Sequence, residues 1–177
     1  MSDLAAPPGV RPARPAPELE VPRLAGGTFR LADAEPERFT MIVFFRGLHC
    51  PGCQAQLTEL DGRLDEIRAK GLEPIAVSGE TQERTERLRD EWSVESLPLA
   101  YGLTEEQMRT WGLFVSSGIS EDEPTLFNEP ALFLVRPDGT VYYEAILSMP
   151  LGRPKLDELF QGVDFWTEHD YPARGVA

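Results

Sequence analysis

The sequence predicts an α/β fold, a central mixed β-sheet with helices on both faces, and three observations carry that expectation. Phe39 to Phe45 is a near-continuous apolar and β-branched run, the pattern of a strand buried on both faces of a parallel or mixed sheet. From Pro51 onward, Leu57, Leu60, Leu64 and Ile67 recur at three- and four-residue steps between charges, as in an amphipathic helix that faces a sheet. Later, Ala131 to Val135, then Pro137-Asp138-Gly139, then Val141 to Tyr143 read as strand, turn and strand, an antiparallel hairpin. Strands that alternate with helices and close on a hairpin leave helices on both faces of the sheet.

The remaining elements follow in order. Residues 1–16 are rich in Ala and Pro, carry no apolar signal core and are expected to be a disordered leader. Residues 17–177 are expected to form one domain, because 177 residues at 41% apolar content fill a single core. Pro51 suits a first helical turn, since it has no N–H to leave unpaired, and Gly71 is the natural stop of that helix. Leu72 to Val77 is the next strand. Glu80 to Trp92 is a charged helix anchored by Leu88 and Trp92, and Leu97 to Tyr101 is a short strand. Thr104-Glu105-Glu106-Gln107 is a capping box opening a helix that carries Met108 and Trp111. The Ser-rich, acidic stretch through Asn128 reads as a long loop, solvated at Glu121-Asp122-Glu123. A last helix runs from about Pro154 to Trp166 through Leu156, Leu159, Phe160 and Val163. Trp92, Trp111 and Trp166 fall at helical positions and read as core anchors.

Composition excludes several classes of function. A net charge of -13 repels nucleic acid and anionic membrane, and no stretch reaches the roughly 18 apolar residues of a membrane span. Without a secretory signal, the expected compartment is the cytoplasm. There is no Gly-rich phosphate loop and no nucleotide or flavin signature, so no cofactor is expected and reducing power has to come from another thiol system.

Chemistry concentrates in Phe44-Phe45-Arg46-Gly47-Leu48-His49-Cys50-Pro51-Gly52-Cys53, which holds both cysteines of the chain. Two cysteines placed at random would fall at this spacing about 1% of the time, and a cytoplasmic Cys-x-x-Cys is catalytic or metal-binding before it is a structural staple. A helix N-terminus stabilises a thiolate through its unpaired N–H groups and partial positive charge, so Cys50 is expected to have a lowered pKa and to attack first. Cys53, one turn further in, is placed to resolve the mixed disulfide. His49 could depress the thiol pKa or shuttle protons, or be a polar loop residue; Arg46 could steady the thiolate, grip a substrate carboxylate, or close a surface ion pair. His49, Cys50 and Cys53 offer three metal ligands where structural zinc wants four, and the order His-Cys-x-x-Cys is the reverse of a c-type haem site, so no metal is expected. Leu126, Phe127 and Glu129, at the end of the long loop, are placed on a substrate rim. His169-Asp170 is assigned no chemistry.

The strand, the dithiol at the next helix start, and Pro130 opening the Ala131 to Val135 strand together resemble a thioredoxin-like fold. More narrowly, Phe45 to Cys53, Pro130-Ala131-Leu132-Phe133 and Arg136-Pro137-Asp138-Gly139 resemble the peroxiredoxin-like AhpC/TSA, or redoxin, group over residues 18 to about 170. The resemblance implies an N-terminal β-hairpin extension through Pro17-Glu18-Leu19 and Gly26 to Leu31, and a cis bond at Pro130 beside the dithiol. True peroxiredoxins carry Pro-x-x-x-Thr-x-x-Cys; laid on Cys53, that pattern meets Arg46 at the proline and Cys50 at the threonine. The Arg that peroxiredoxins tend to place three residues before the later Phe is Pro130 here. These departures lean toward thiol-disulfide exchange through a Cys50–Cys53 dithiol, served by a disulfide substrate and an external thiol reductant such as thioredoxin or a small thiol. The alternative is a thiol peroxidase with Cys53 or Cys50 as the peroxide-reacting thiol, and the third reading is a metal-binding or redox-sensing module. A homodimer is compatible with the resemblance.

Overall fold

Every residue of Phe39–Phe44 is buried, and that strand is the middle of the sheet. In the computed structural model, which describes residues 9–176, the strands are β1 (Glu20–Pro22), β2 (Thr28–Arg30), β3 (Phe39–Phe44), β4 (Leu72–Val77), β5 (Leu99–Ala100), β6 (Val115–Ser117), β7 (Leu126–Asn128), β8 (Ala131–Val135) and β9 (Val141–Ile146). The helices are α1 (Pro51–Gly62), α2 (Leu64–Ala69), α3 (Gln82–Trp92), α4 (Glu105–Thr110) and α5 (Leu156–Glu168). The central sheet has the order β5-β4-β3-β8-β9. Strand β3 runs parallel to β4, with Ile42 opposite Ile75, and antiparallel to β8, with Ile42 opposite Phe133. The sheet is therefore mixed, as expected, and β8 and β9 form the expected hairpin, with a bulge between Leu134 and Val135.

The two-residue period of β3 divides the core. Met41, Val43 and Phe45 face Leu57, Ile67, Leu88, Phe160 and Val163, whereas Ile42 and Phe44 face Val21, Phe29, Met108 and Trp111. The first face is covered by α1, α2, α3 and α5, the second by α4 and the β1–β2 hairpin. Trp111 and Phe133 meet edge to face at 5.0 Å, and Phe44 stands 5.8 Å from Phe133, so aromatic packing fills the second face. The capping box at Thr104 and Gln107 is formed from both sides. Among the described residues, no helix is long and apolar enough to cross a membrane.

Four expectations need correcting. The helix read from Pro51 through Ile67 is broken at Arg63 (φ -116°, ψ 20°), directly after Gly62, a weak helix former. Asp61 pins that point by accepting the N–H groups of Ser96 and Leu97 at 2.7 Å each. The stretch read as a loop through Asn128 contains the antiparallel pair β6–β7. Residues 1–8 of the expected disordered leader lie outside the described residues, but Ala13 to Ala16 is paired with the chain entering β9: Ala13 N–H donates to Val141 O at 2.7 Å and Ala16 N–H to Gly139 O at 2.9 Å. Val10 is buried against the second face. Finally, the described residues include no cis peptide bond, so Glu129–Pro130 is trans. It joins two extended segments, β7 and β8, rather than turning a tight corner, which is where cis prolines are found.

Candidate active site

Strand β3 delivers the chain to the C-terminal edge of the sheet, and the turn Arg46–His49 reverses it into α1. Cys50 is the N-cap of that helix, in extended geometry (φ -106°, ψ 105°), with Pro51 in the first turn. Its sulfur accepts the Cys53 N–H at 3.3 Å, as an Asp or Ser oxygen does at other helix starts. Cys53 lies one turn inside; its own sulfur accepts the Arg46 N–H at 3.3 Å. Both cysteines are free and have no exposure to solvent.

These surroundings drive the two thiols apart. Cys50 is held down to about 5: the Cys53 side chain hydrogen-bonds its sulfur, burial opposes this, and the Cys53 N–H and the Arg46 and Arg153 guanidiniums favour the anion. Cys53 is pushed up, first by burial and then by the hydrogen bond to Cys50, and Arg153 only partly offsets this. These surroundings favour the anion on Cys50 and the proton on Cys53.

Arg153 is a site residue that sequence reading missed. It lies on the segment between β9 and α5. Its Nη2 approaches Cys53 Sγ at 3.2 Å and Cys50 Sγ at 3.7 Å, its Nε donates to Pro150 O at 3.0 Å, and its Nη1 donates to Gln56 Oε1 on α1. Residues 148–154 thereby strap the dithiol, with Met149 and Leu151 turned to solvent. A lone Arg between a Gly and a Pro gives no motif, and its position opposite the cysteines exists only after β9 and α5 dock.

The expected supporting residues are placed as follows. The Arg46 guanidinium lies over the Phe127 ring at 4.8 Å, with Nε 3.2 Å from Glu129 Oε2 and Nη2 4.0 Å from Glu123 Oε1. Glu129 also accepts from Ser116 Oγ at 2.7 Å. Arg46 is thus held in a largely buried ion pair, not a surface one. His49 packs on the other part of Phe127 at 4.7 Å; burial, and then the charge of Arg46, push its imidazole below the usual range, so it is neutral at neutral pH. Neither ring nitrogen has a hydrogen-bond partner among the described residues. Phe127 and Glu129 are 2% and 4% exposed, so they form the wall behind Arg46 and His49 rather than a substrate rim; Leu126 alone of the three is partly open. Pro130 is buried, and its carbonyl accepts the Leu147 N–H, which ties β8 to the start of the strap. Among the described residues no cluster of His, Cys, Asp and Glu suits a metal ion.

The thiolate assignment fixes an expected pH profile. Cys50 is buried beneath the strap, so iodoacetamide reaches it only as that segment moves aside; its alkylation should then rise tenfold per pH unit below about pH 5 and be level above it, whereas an ordinary thiol climbs to about pH 8.5. Cys53 should stay unlabelled in the folded protein. Stability follows the same linkage. The folded pKa of Cys50 lies below its unfolded value, so its contribution is complete above about pH 8.5 and is lost as the pH falls toward 5; that of Cys53 is present below about pH 8.5 and is lost above it. Chemical denaturation of the reduced protein should therefore show stability rising from about pH 5 to pH 8.5 relative to the disulfide form.

A helix-capping dithiol on a mixed sheet covered by helices and an N-terminal hairpin defines a peroxiredoxin-like thiol redox protein. The sequence model of the AhpC/TSA family matches residues 12–144, and the chain belongs to that family. No curated protein matches the sequence. Among solved structures, the chain is similar to a peroxiredoxin-like protein from Aquifex aeolicus, with 17% identity, a TM-score of 0.72, and 89% of this chain and 88% of that chain covered. It is also similar to AhpC of Mycobacterium bovis, with 14% identity, a TM-score of 0.74, and coverage of 96% and 99%. The reduced 2-Cys peroxiredoxin of Plasmodium vivax matches with 15% identity, a TM-score of 0.73, and coverage of 89% and 82%. These likenesses establish the thioredoxin-like, peroxiredoxin-type fold.

Proposed function

We propose that the protein is a thiol-disulfide oxidoreductase in which Cys50 attacks and Cys53 resolves. The observation that carries this reading is the division of labour within the dithiol: a thiolate at the helix cap and a protonated, buried thiol one turn behind it. The Cys50 thiolate attacks one sulfur of a substrate disulfide, forming a mixed disulfide and releasing the other half as a thiolate that takes up a proton. Cys53 then gives up its proton and attacks the Cys50 sulfur, releasing the second half. The substrate gains two electrons, the protein holds a Cys50–Cys53 disulfide, and an external thiol system returns those electrons. The cytoplasm is the compartment in which such a thiol pool is at hand. A homodimer is part of the proposal only as an assembly compatible with the family.

One observation favours the peroxidase reading. The family pattern puts the peroxide-reacting thiol at Cys53, and the nearer sulfur to Arg153 is Cys53. The neutral, buried state of that thiol opposes it. Stopped-flow oxidation of the reduced protein, followed by Trp fluorescence, separates the two. Rapid reaction with a model disulfide, lost in Cys50→Ser, with slow reaction toward hydrogen peroxide and cumene hydroperoxide, supports exchange. Fast peroxide reaction that depends on Cys53 would overturn it.

A further inference from the structure

Beneath the turn that delivers the dithiol lies a carboxylate that has no part in the chemistry above. The Glu80 side chain is 1% exposed. Its Oε1 accepts the Leu48 N–H at 2.8 Å. Arg84, at the start of α3, holds the same carboxylate with Nε 2.5 Å from Oε2 and Nη2 3.1 Å from Oε1, and Nη2 also donates to Asp122 O at 3.0 Å. On the other side, Gly47 has φ +142°, and a Cβ built there would fall 2.1 Å from Glu80 Oε1. The carboxylate thus occupies the space that any other residue at position 47 would need. The turn then closes through Cys50 N–H donating to Gly47 O at 3.1 Å. Burying a carboxylate is unfavourable unless it is paired and hydrogen-bonded, and here that pairing is directed at one backbone amide two residues before the reacting cysteine.

We propose that Glu80 is a positioning residue: by gripping the Leu48 amide across the notch at Gly47, it fixes the turn that seats Cys50 as the cap of α1. This rests on the reading of Cys50 as the reacting thiol. Charge and position act in opposite directions on that thiol. Removing a nearby negative charge favours the thiolate, whereas loosening the turn takes the sulfur away from the helix N-terminus and disfavours it. The other titratable and charged groups around Cys50 are Cys53 on α1, Arg46 and His49 on the turn, and Arg153 on the strap; all are retained in the variants below.

The test is iodoacetamide alkylation of the full-length reduced protein between about pH 4 and pH 9, with the adduct mapped to Cys50 by mass spectrometry. Glu80→Asp keeps the charge but is one methylene too short to reach the Leu48 N–H. It is expected to move the Cys50 midpoint up by about one unit, which at about pH 5 is a roughly fivefold slower reaction. Glu80→Gln keeps the reach and removes the charge, and its midpoint is expected at or below that of the native protein. An unmoved midpoint in Glu80→Asp, even with a lowered melting temperature, would reduce Glu80 to a merely structural role and overturn the proposal. An upward shift in Glu80→Gln as large as in Glu80→Asp would also overturn it, because reach would not be the cause. Alkylation requires neither a disulfide nor a peroxide substrate, so these outcomes are readable even if the exchange reaction itself fails.

Discussion

Cys53→Ser is expected to leave the first bond-forming step intact and to stop the cycle there, with a covalent adduct on Cys50. The hydroxyl can still donate toward the Cys50 sulfur, and the backbone N–H bond that caps α1 is untouched, so the thiolate survives. What disappears is an intramolecular nucleophile held one helical turn away. Positioned reactants gain many orders of magnitude over the same groups free in solution, so turnover should fall by at least about a hundredfold. In the proposed cycle, resolution follows attack for a physical reason. Two of the influences that keep Cys53 protonated are its hydrogen bond to Cys50 and the negative charge there. Once Cys50 is bound in a mixed disulfide both are gone, and Arg153, 3.2 Å from Cys53 Sγ, acts on Cys53 alone. Intact-mass measurement after mixing with a model disulfide should show Cys53→Ser heavier by one substrate half and Cys50→Ser unchanged. Continued turnover without an adduct would remove Cys53 from the resolving role.

Phe133→Ala should have the largest effect on stability, a loss of about 3–5 kcal/mol. Phe133 has no solvent exposure and is paired with Ile42 in the middle of the sheet, and its ring meets Trp111 and Phe44 at 5.0 and 5.8 Å. Truncation leaves a void bounded by two large rings on β3 and beyond α4, which cannot both collapse into it. The dithiol packs on the opposite face of the sheet with Met41, Val43 and Leu57, so the Cys50 alkylation midpoint should be unchanged while the denaturation midpoint falls. A loss below about 1 kcal/mol would mean that the second face closes over the gap more easily than rigid aromatic packing allows.

What could be read from the sequence was what depends on neighbouring residues. The buried strand at Phe39–Phe44 announces itself by an unbroken apolar run, α4 by its capping box, the β8–β9 hairpin by Pro137-Asp138-Gly139, and the dithiol by its spacing before a helix. The three-residue strands β6 and β7 are too short to show a period, so Val115 to Asn128 read as loop. Gly9 to Ala16 has the composition of a free tail, yet Ala13 to Ala16 is held by backbone bonds at the entry to β9, which composition does not encode. The site residues that went unseen, Arg153, Gln56 and Glu80, are all contributed across the fold: Arg153 meets the cysteines from 100 or more positions away, and Glu80 reaches Leu48 from 32. Phe127 and Glu129 were found by position but given the wrong setting, since the docking of β7 turns them inward against Arg46.

The tail bonded to β9 also bears on assembly. Strand β9 is the last strand on its side of the sheet, and a last strand offers its free amides and carbonyls to any other extended chain. Arg14 O and the N–H groups of Ala13 and Ala16 already occupy Val141 N–H, Val141 O and Gly139 O. The beginning of β9 is therefore spoken for by the protein's own chain, and a second molecule seeking to extend the sheet there would first have to displace it.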